Sequence, residues 1–226
     1  MRRSPRSRAD VTLFVAHHVD PRTPRMSLEF IRGYLAELDS TLRALPHEQI
    51  AGVIDAIRDV RDRDAQLFVV GNGGSAATAS HFAVDLGKGA SMGAERRFRV
   101  LSLTDNVPWI TALGNDLSYA DVYVEQLKNF ARPGDLLLAF SGSGNSENVL
   151  RAVRYANSIG CRTIGLSGYQ GGRLSEEAQE CLVVRADHMG RIEDGHFVIQ
   201  HLIVYYFMSM LQAEPAAAAP GRTAHR

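Results

Sequence analysis

The chain has 226 residues, 45% of them apolar, and its 25 basic residues balance 25 acidic ones. That is enough for one medium domain with a full hydrophobic core, and no net charge favours nucleic acid or an anionic membrane as a partner. No apolar run approaches the roughly 20 residues of a membrane span, and Cys161 and Cys181 lie outside any CxxC pair, which suits a reduced cytoplasmic compartment.

The first eight residues carry four Arg with no apolar stretch behind them, so a solvated basic tip is expected rather than a secretory signal. Residues 1–26 are rich in Arg, Pro and Ser without a sustained period, and the Ala- and Pro-rich end, 213–226, is low in complexity. Both are expected to be disordered tails around a single domain at 27–212. Ser27 reads as a helix N-cap. After it Leu28, Ile31, Leu35, Leu38, Leu42 and Leu45 form a heptad seam that Pro46 ends, and Ile50, Val53, Ile54, Ile57 and Val60 mark a second helix. Either the two helices cover one face of a sheet, or the leucine seam packs against a second subunit.

From Gln66 onward, apolar strands alternate with helices. The strands are 66–70, 99–103, 135–140, 162–166 and 181–185. Helices are expected at 76–86, from Pro108 to about Leu113, up to Phe130, at 147–159 and from Arg191 to Met210, with polar Gly114–Tyr119 as an interruption. This pattern predicts an α/β fold, a doubly wound parallel five-stranded sheet with N-terminal helices, whose ligands bind at the carboxyl ends of the strands.

Two loops fall on that edge. Ser141-Gly142-Ser143-Gly144-Asn145-Ser146 follows a buried strand and opens a helix, so its hydroxyls and the helix N-terminus suit a phosphate. No Lys follows the glycines, which excludes a nucleotide P-loop. Gly71-Asn72-Gly73-Gly74-Ser75-Ala76 formally matches the dinucleotide fingerprint. It lacks an acidic residue at a strand end about 20 positions downstream, which disfavours that use.

His81 and Asp85 share a helix face, as an ordinary ion pair or as a functional one. Asp187, His188, Arg191, Glu193, Asp194, His196 and His201 cluster around the start of an otherwise apolar helix. A polar residue such as His201 is costly there unless partnered. His81, Asp85, Glu193 and His201 together make a candidate two-His, two-carboxylate set for zinc or another divalent ion. Glu193 and His201 are eight residues apart, about 12 Å along a regular helix. Either Glu193 precedes the helix and folds back, or a residue is borrowed from another subunit.

These motifs, with Thr104-Asp105-Asn106, Gly114-Asn115-Asp116, Arg132-Pro133-Gly134-Asp135, Gly168 to Gly172 and Arg191 to His196, resemble the sugar isomerase (SIS) domain family, and within it the phosphoheptose isomerases acting on sedoheptulose 7-phosphate. The resemblance runs from about Ser27 to Met210. It implies a flavodoxin-like sheet in a single SIS domain and a homotetramer with sites between subunits. It also implies a ketose–aldose isomerase that takes a small sugar phosphate and neither nucleic acid nor membrane. Ser75, Ser141, Ser143 and Ser146, with Gly142, would hold phosphate, while Asn72, Gly73, Gly74, Asn115, Asp116 and Glu193 would line the sugar. Asp85 and His201 would be the catalytic pair, and His81, Asp85, Glu193 and His201 the zinc ligands. The chain departs from the family pattern at Asp85 (for Glu), Glu193 (for Gln), Gly142 (for Thr) and Gly89 (for Arg). A non-catalytic sugar-phosphate-binding regulator or assembly factor on the same fold is the alternative. The retained carboxylate and last His favour the enzyme.

Overall fold

The chain is described in a computed structural model over residues 24–213. Of the tails expected at 1–26 and 213–226, residues 1–23 and 214–226 lie outside the described residues, while 24–26 open a helix and Ala213 ends another; the expected N-cap Ser27 falls inside a helix that has already begun. That helix, α1, spans Pro24–Arg43, and α2 spans His47–Asp62 after Pro46. The chain divides into two compact units at Ser40. The first holds most of α1 and exposes Leu28, Phe30, Ile31 and Leu35. The heptad seam therefore divides, because Leu42 and Leu45 belong to the core of the second unit.

The second unit is the α/β body. Its strands are β1 (Gln66–Val70), β2 (Arg99–Ser102), β3 (Leu136–Ser141), β4 (Arg162–Gly168) and β5 (Glu180–Val184). They form one parallel sheet in the order β2-β1-β3-β4-β5. Side chains alternate across a strand, and both faces of the sheet centre are covered, so 67–70 of β1 and 136–140 of β3 are apolar throughout. Leu67, Val69, Leu136, Leu138 and Phe140 point to one core, while Phe68, Val70, Leu137 and Ala139 point to the other.

The first core is closed by α2, α3 (Gly74–Val84) and α8 (Met189–Ala213), and the second by α5 (Val124–Phe130) and α6 (Glu147–Ser158). A short α7 (Leu174–Glu177) precedes β5. Cys161 packs as a buried thiol whose pKa burial pushes up to about 11, and burial also raises that of Cys181, so both act as packing residues.

Three local features differ from the expectations. α4 runs Val107–Asp116, through the polar segment read as an interruption, because Gly114 to Asp116 simply form its exposed last turn. The helix after β1 does not stop at Leu86. It widens into a π-helical turn at Asp85–Gly89, a distortion often found where a helix serves a site. The closing helix starts at Met189, so Glu193 lies inside it rather than before it.

Candidate active site

The order β2-β1-β3 means the chain leaves β1 for one side of the sheet and returns to its other side at β3. Neighbouring strands whose connections diverge open a crevice at their carboxyl ends. The two glycine–serine loops leave β1 and β3, so the topology sets them side by side.

The serine loop gathers hydroxyls beside the N-terminus of α6. Ser141 ends β3 and is buried, while Ser146 is the N-cap residue of α6. The Ser141 hydroxyl donates to Ser146 Oγ at 3.4 Å, and Ser143 Oγ accepts from the Asn145 amide at 3.2 Å. Ser146 makes no side-chain capping bond, and Asn148 Oδ1 accepts from the Val149 amide at 3.0 Å, so the amides of Glu147 and Asn148 are the first-turn donors that could meet a ligand. Ser75 is buried in the first turn of α3, whose N-cap, Gly73, has no side chain to offer. A side chain at 142 would meet Met189 Sδ at 2.5 Å, so Met189 takes up the space next to Gly142.

The loops are tied together by side-chain amides. Asn72 Nδ2 donates to Asn148 Oδ1 at 2.8 Å and Asn148 Nδ2 donates to Asn72 Oδ1 at 2.9 Å. The Tyr119 hydroxyl donates to Asn72 Oδ1 at 2.9 Å, and the Tyr123 hydroxyl bonds the Gly71 carbonyl. Burial holds the Tyr123 hydroxyl above its ordinary range, so it remains a donor. Asn72 is thus fixed with one N–H still available. Asn115 and Asp116 bond each other at 2.9 Å on the exposed end of α4, outside this hydrogen-bonded group.

The histidine–carboxylate cluster forms between α3 and α8. One ligating atom each from His81, Asp85 and His201 lies within 4.8 Å of the others. His81 Nε2 is 3.0 Å from Asp85 Oδ2, and Gln200 Nε2 donates to the same oxygen at 3.1 Å. The rings of Phe197 and Tyr205 stand 4.6 and 5.9 Å from that of His201. Two imidazoles and a carboxylate at this separation fit the donor set of a divalent ion. Glu193 is not in this group. It sits two turns earlier on α8, with its carboxylate over the first turn of α3, where a side chain at 74 would meet Oε1 at 2.6 Å. The fold-back reading of Glu193 is thereby corrected, since a regular helix carries it away from His201.

His201 is only half-buried, so its polar ring keeps access to solvent. The buried histidine is His196, whose Nε2 donates to the Ser167 carbonyl at 3.0 Å and whose pKa burial lowers to about 4. Among the described residues, His196 Nδ1 and Gln200 Oε1 are buried without a partner. Asn148, Tyr119, Tyr123 and Gln200 were missed from the sequence. For Gln200 a signal existed: it falls with Ile192, Ile199 and Ile203 on the core-facing stripe of α8.

A family model of the SIS domain matches residues 32–168. A probable phosphoheptose isomerase from Thermoplasma acidophilum is 39% identical over 170 residues, covering 75% of this chain and 93% of the relative. A phosphoheptose isomerase from Geotalea daltonii is 38% identical over 156 residues, 69% of this chain and 80% of the relative. The solved phosphoheptose isomerase of Neisseria gonorrhoeae superposes with a TM-score of 0.74 at 28% identity, covering 81% of this chain and 99% of the other. The chain belongs to the SIS domain family, in its phosphoheptose isomerase branch.

Proposed function

We propose that the chain interconverts sedoheptulose 7-phosphate and glycero-manno-heptose 7-phosphate. The observation that carries this reading is the cluster of His81, Asp85 and His201, a base, an acid and a ligand set within 4.8 Å. The serine loop at the sheet edge supplies the phosphate anchor. The names of the relatives supply the substrate class.

In this mechanism Ser75, Ser141, Ser143 and Ser146 hold the phosphate and Asn72 donates to a sugar hydroxyl. The Asp85 carboxylate takes a proton from carbon 1 of the ketose while His201 protonates the carbonyl oxygen on carbon 2, giving an enediol. Asp85 then returns its proton to carbon 2, and His201 takes the proton from the carbon 1 hydroxyl as the aldehyde forms. His81, Asp85 and His201 would hold a divalent ion, with zinc the natural candidate; when bound, it supplies Lewis-acid polarisation of the sugar oxygens.

We place the complete site between subunits. Ser75 and Asp85 are ten residues apart on one helix run, about 15 Å. A seven-carbon chain with C–C bonds of ~1.5 Å spans, with its phosphate, only on the order of 10 Å. A phosphate held by one copy's loops can instead present its sugar to the cluster of a neighbouring copy. Glu193, lying beside the loop, would then join the neighbour's cluster as a fourth ligand. The exposed Leu28, Ile31 and Leu35 support such an assembly, with a homotetramer as the expected form. The free thiols Cys161 and Cys181 support a cytoplasmic location.

The test is a screen of sugar phosphates, with metal content measured on the same preparation. Turnover of sedoheptulose 7-phosphate that falls on chelation and returns with zinc is expected. Binding without turnover on any heptose phosphate would favour a regulator instead.

A further inference from the structure

Gln200 is fully buried on α8, on the same stripe as Ile192, Ile199 and Ile203. An apolar side chain would fill that position without burying a carboxamide. Here the amide oxygen has no partner among the described residues, a cost that packing alone does not explain. What the amide does make is one bond, from Nε2 to Asp85 Oδ2 at 3.1 Å. It bridges the core of α8 to the first residue of the π-helical turn.

We infer that Gln200 is the positioning residue for the Asp85 base, a role that rests on the isomerase reading of the site. Asp85 has two oxygens to distribute. Oδ2 receives the Gln200 amide and faces His81 Nε2 at 3.0 Å, so this oxygen is the anchored one. Oδ1 is left to meet the substrate proton. The half-exposed His81 gives this carboxylate a single further contact, through the same oxygen, which leaves rotation about two side-chain torsions, and misplacement of about 1 Å is enough to slow a proton transfer severely. The amide is suited to this task because it donates one hydrogen bond while carrying no charge. It therefore orients the carboxylate without competing with the substrate proton for it.

The test is a cycle of Gln200→Met, Asp85→Glu and the double variant, followed by kcat, KM and thermal midpoint. Methionine keeps the side-chain length and removes both polar atoms, one of which is an unpartnered acceptor. Gln200→Met is therefore expected to leave the thermal midpoint unchanged or raised, to lower kcat about tenfold and to leave KM within about twofold. Asp85→Glu pushes a longer carboxylate against the amide and is expected to lower kcat as well. In the double variant no amide remains to hold or misplace the longer carboxylate, so its kcat should exceed the product of the two single fractional activities. Single effects that simply multiply, or a Gln200→Met kcat within twofold of wild type, would overturn the assignment.

A second readout does not depend on turnover. The Gln200 side-chain amide protons, assigned by their loss in Gln200→Met, should exchange slowly with solvent and shift in Asp85→Asn. Insensitivity of that resonance to Asp85→Asn overturns the inference even if the protein proves to be an isomerase. An absence of heptose turnover with the resonance behaving as expected overturns the isomerase reading alone.

Discussion

The carboxamides of Asn72 and Asn148 hydrogen-bond each other reciprocally, at 2.8 and 2.9 Å, and so join the loop after β1 to the first turn of α6. Asn148 is buried and reaches no solvent ligand, so its part is to hold Asn72. Asn148→Leu leaves Asn72 short of a donor and an acceptor. It should cost about 1–3 kcal/mol of stability. It should also raise KM for the sugar phosphate about tenfold, equivalent to ~1.4 kcal/mol, with little change in kcat. Denaturant unfolding and steady-state kinetics on the same variant check both.

Gly142 and Met189 form a second linked pair. A threonine hydroxyl at 142 would add a donor to the anion cradle, but its Cβ would meet Met189 Sδ at 2.5 Å. Gly142→Thr alone is expected to weaken substrate binding, because the thioether must move into the loop. Gly142→Thr combined with Met189→Ala should bind as well as the starting protein or better. Isothermal titration with inorganic phosphate and with the sugar phosphate separates the two outcomes.

If one copy's phosphate loop serves a neighbour's cluster, two dead variants can repair each other. Ser141→Ala with Ser146→Ala removes the anchor, and Asp85→Asn removes the base. Mixed, denatured and refolded together, they should regain a quarter or so of wild-type activity at equal ratio, because some sites then draw an intact half from each copy. Activity no greater than the sum of the two separate preparations would place both halves of the site in one chain.

His196 makes stability depend on pH. Its folded pKa, about 4, lies below the ordinary 6.5 because burial disfavours the imidazolium. Below 6.5 the unfolded chain takes up a proton that the folded chain refuses, so this contribution is complete above pH 6.5 and is lost as the pH falls toward 4. The difference between 6.5 and about 4 corresponds to a loss on the order of 3 kcal/mol. Urea unfolding at pH 7.5, 6 and 5 should show the decline, and His196→Leu should flatten it.

Much of the architecture was legible because burial on both sheet faces writes uninterrupted apolar runs in β1 and β3, and shorter ones in the other strands. The parallel order and the edge holding both loops followed from those runs. The elements that escaped carry no distinguishing period or propensity. Nothing in Asp85-Leu86-Gly87-Lys88-Gly89 distinguishes a π turn from an α turn by period, and Gly114-Asn115-Asp116 are weak helix formers that nonetheless extend α4. The grouping of His81, Asp85 and His201 was legible from residue type and spacing. Glu193 was grouped with them by chemistry alone, although two helical turns separate it from His201. Asn148 and Gln200 carry no charge and belong to no motif, so only their partners, Asn72 and Asp85, give them meaning.

Proton transfer through Asp85 is the central step of the proposed isomerisation, and incubation of sedoheptulose 7-phosphate in deuterium oxide measures it directly. Proton spectra should show deuterium entering carbon 1 of the ketose and carbon 2 of the aldose, with both exchanges slowed about a hundredfold or more in Asp85→Asn. Aldose formed by Asp85→Asn at an undiminished rate would contradict it.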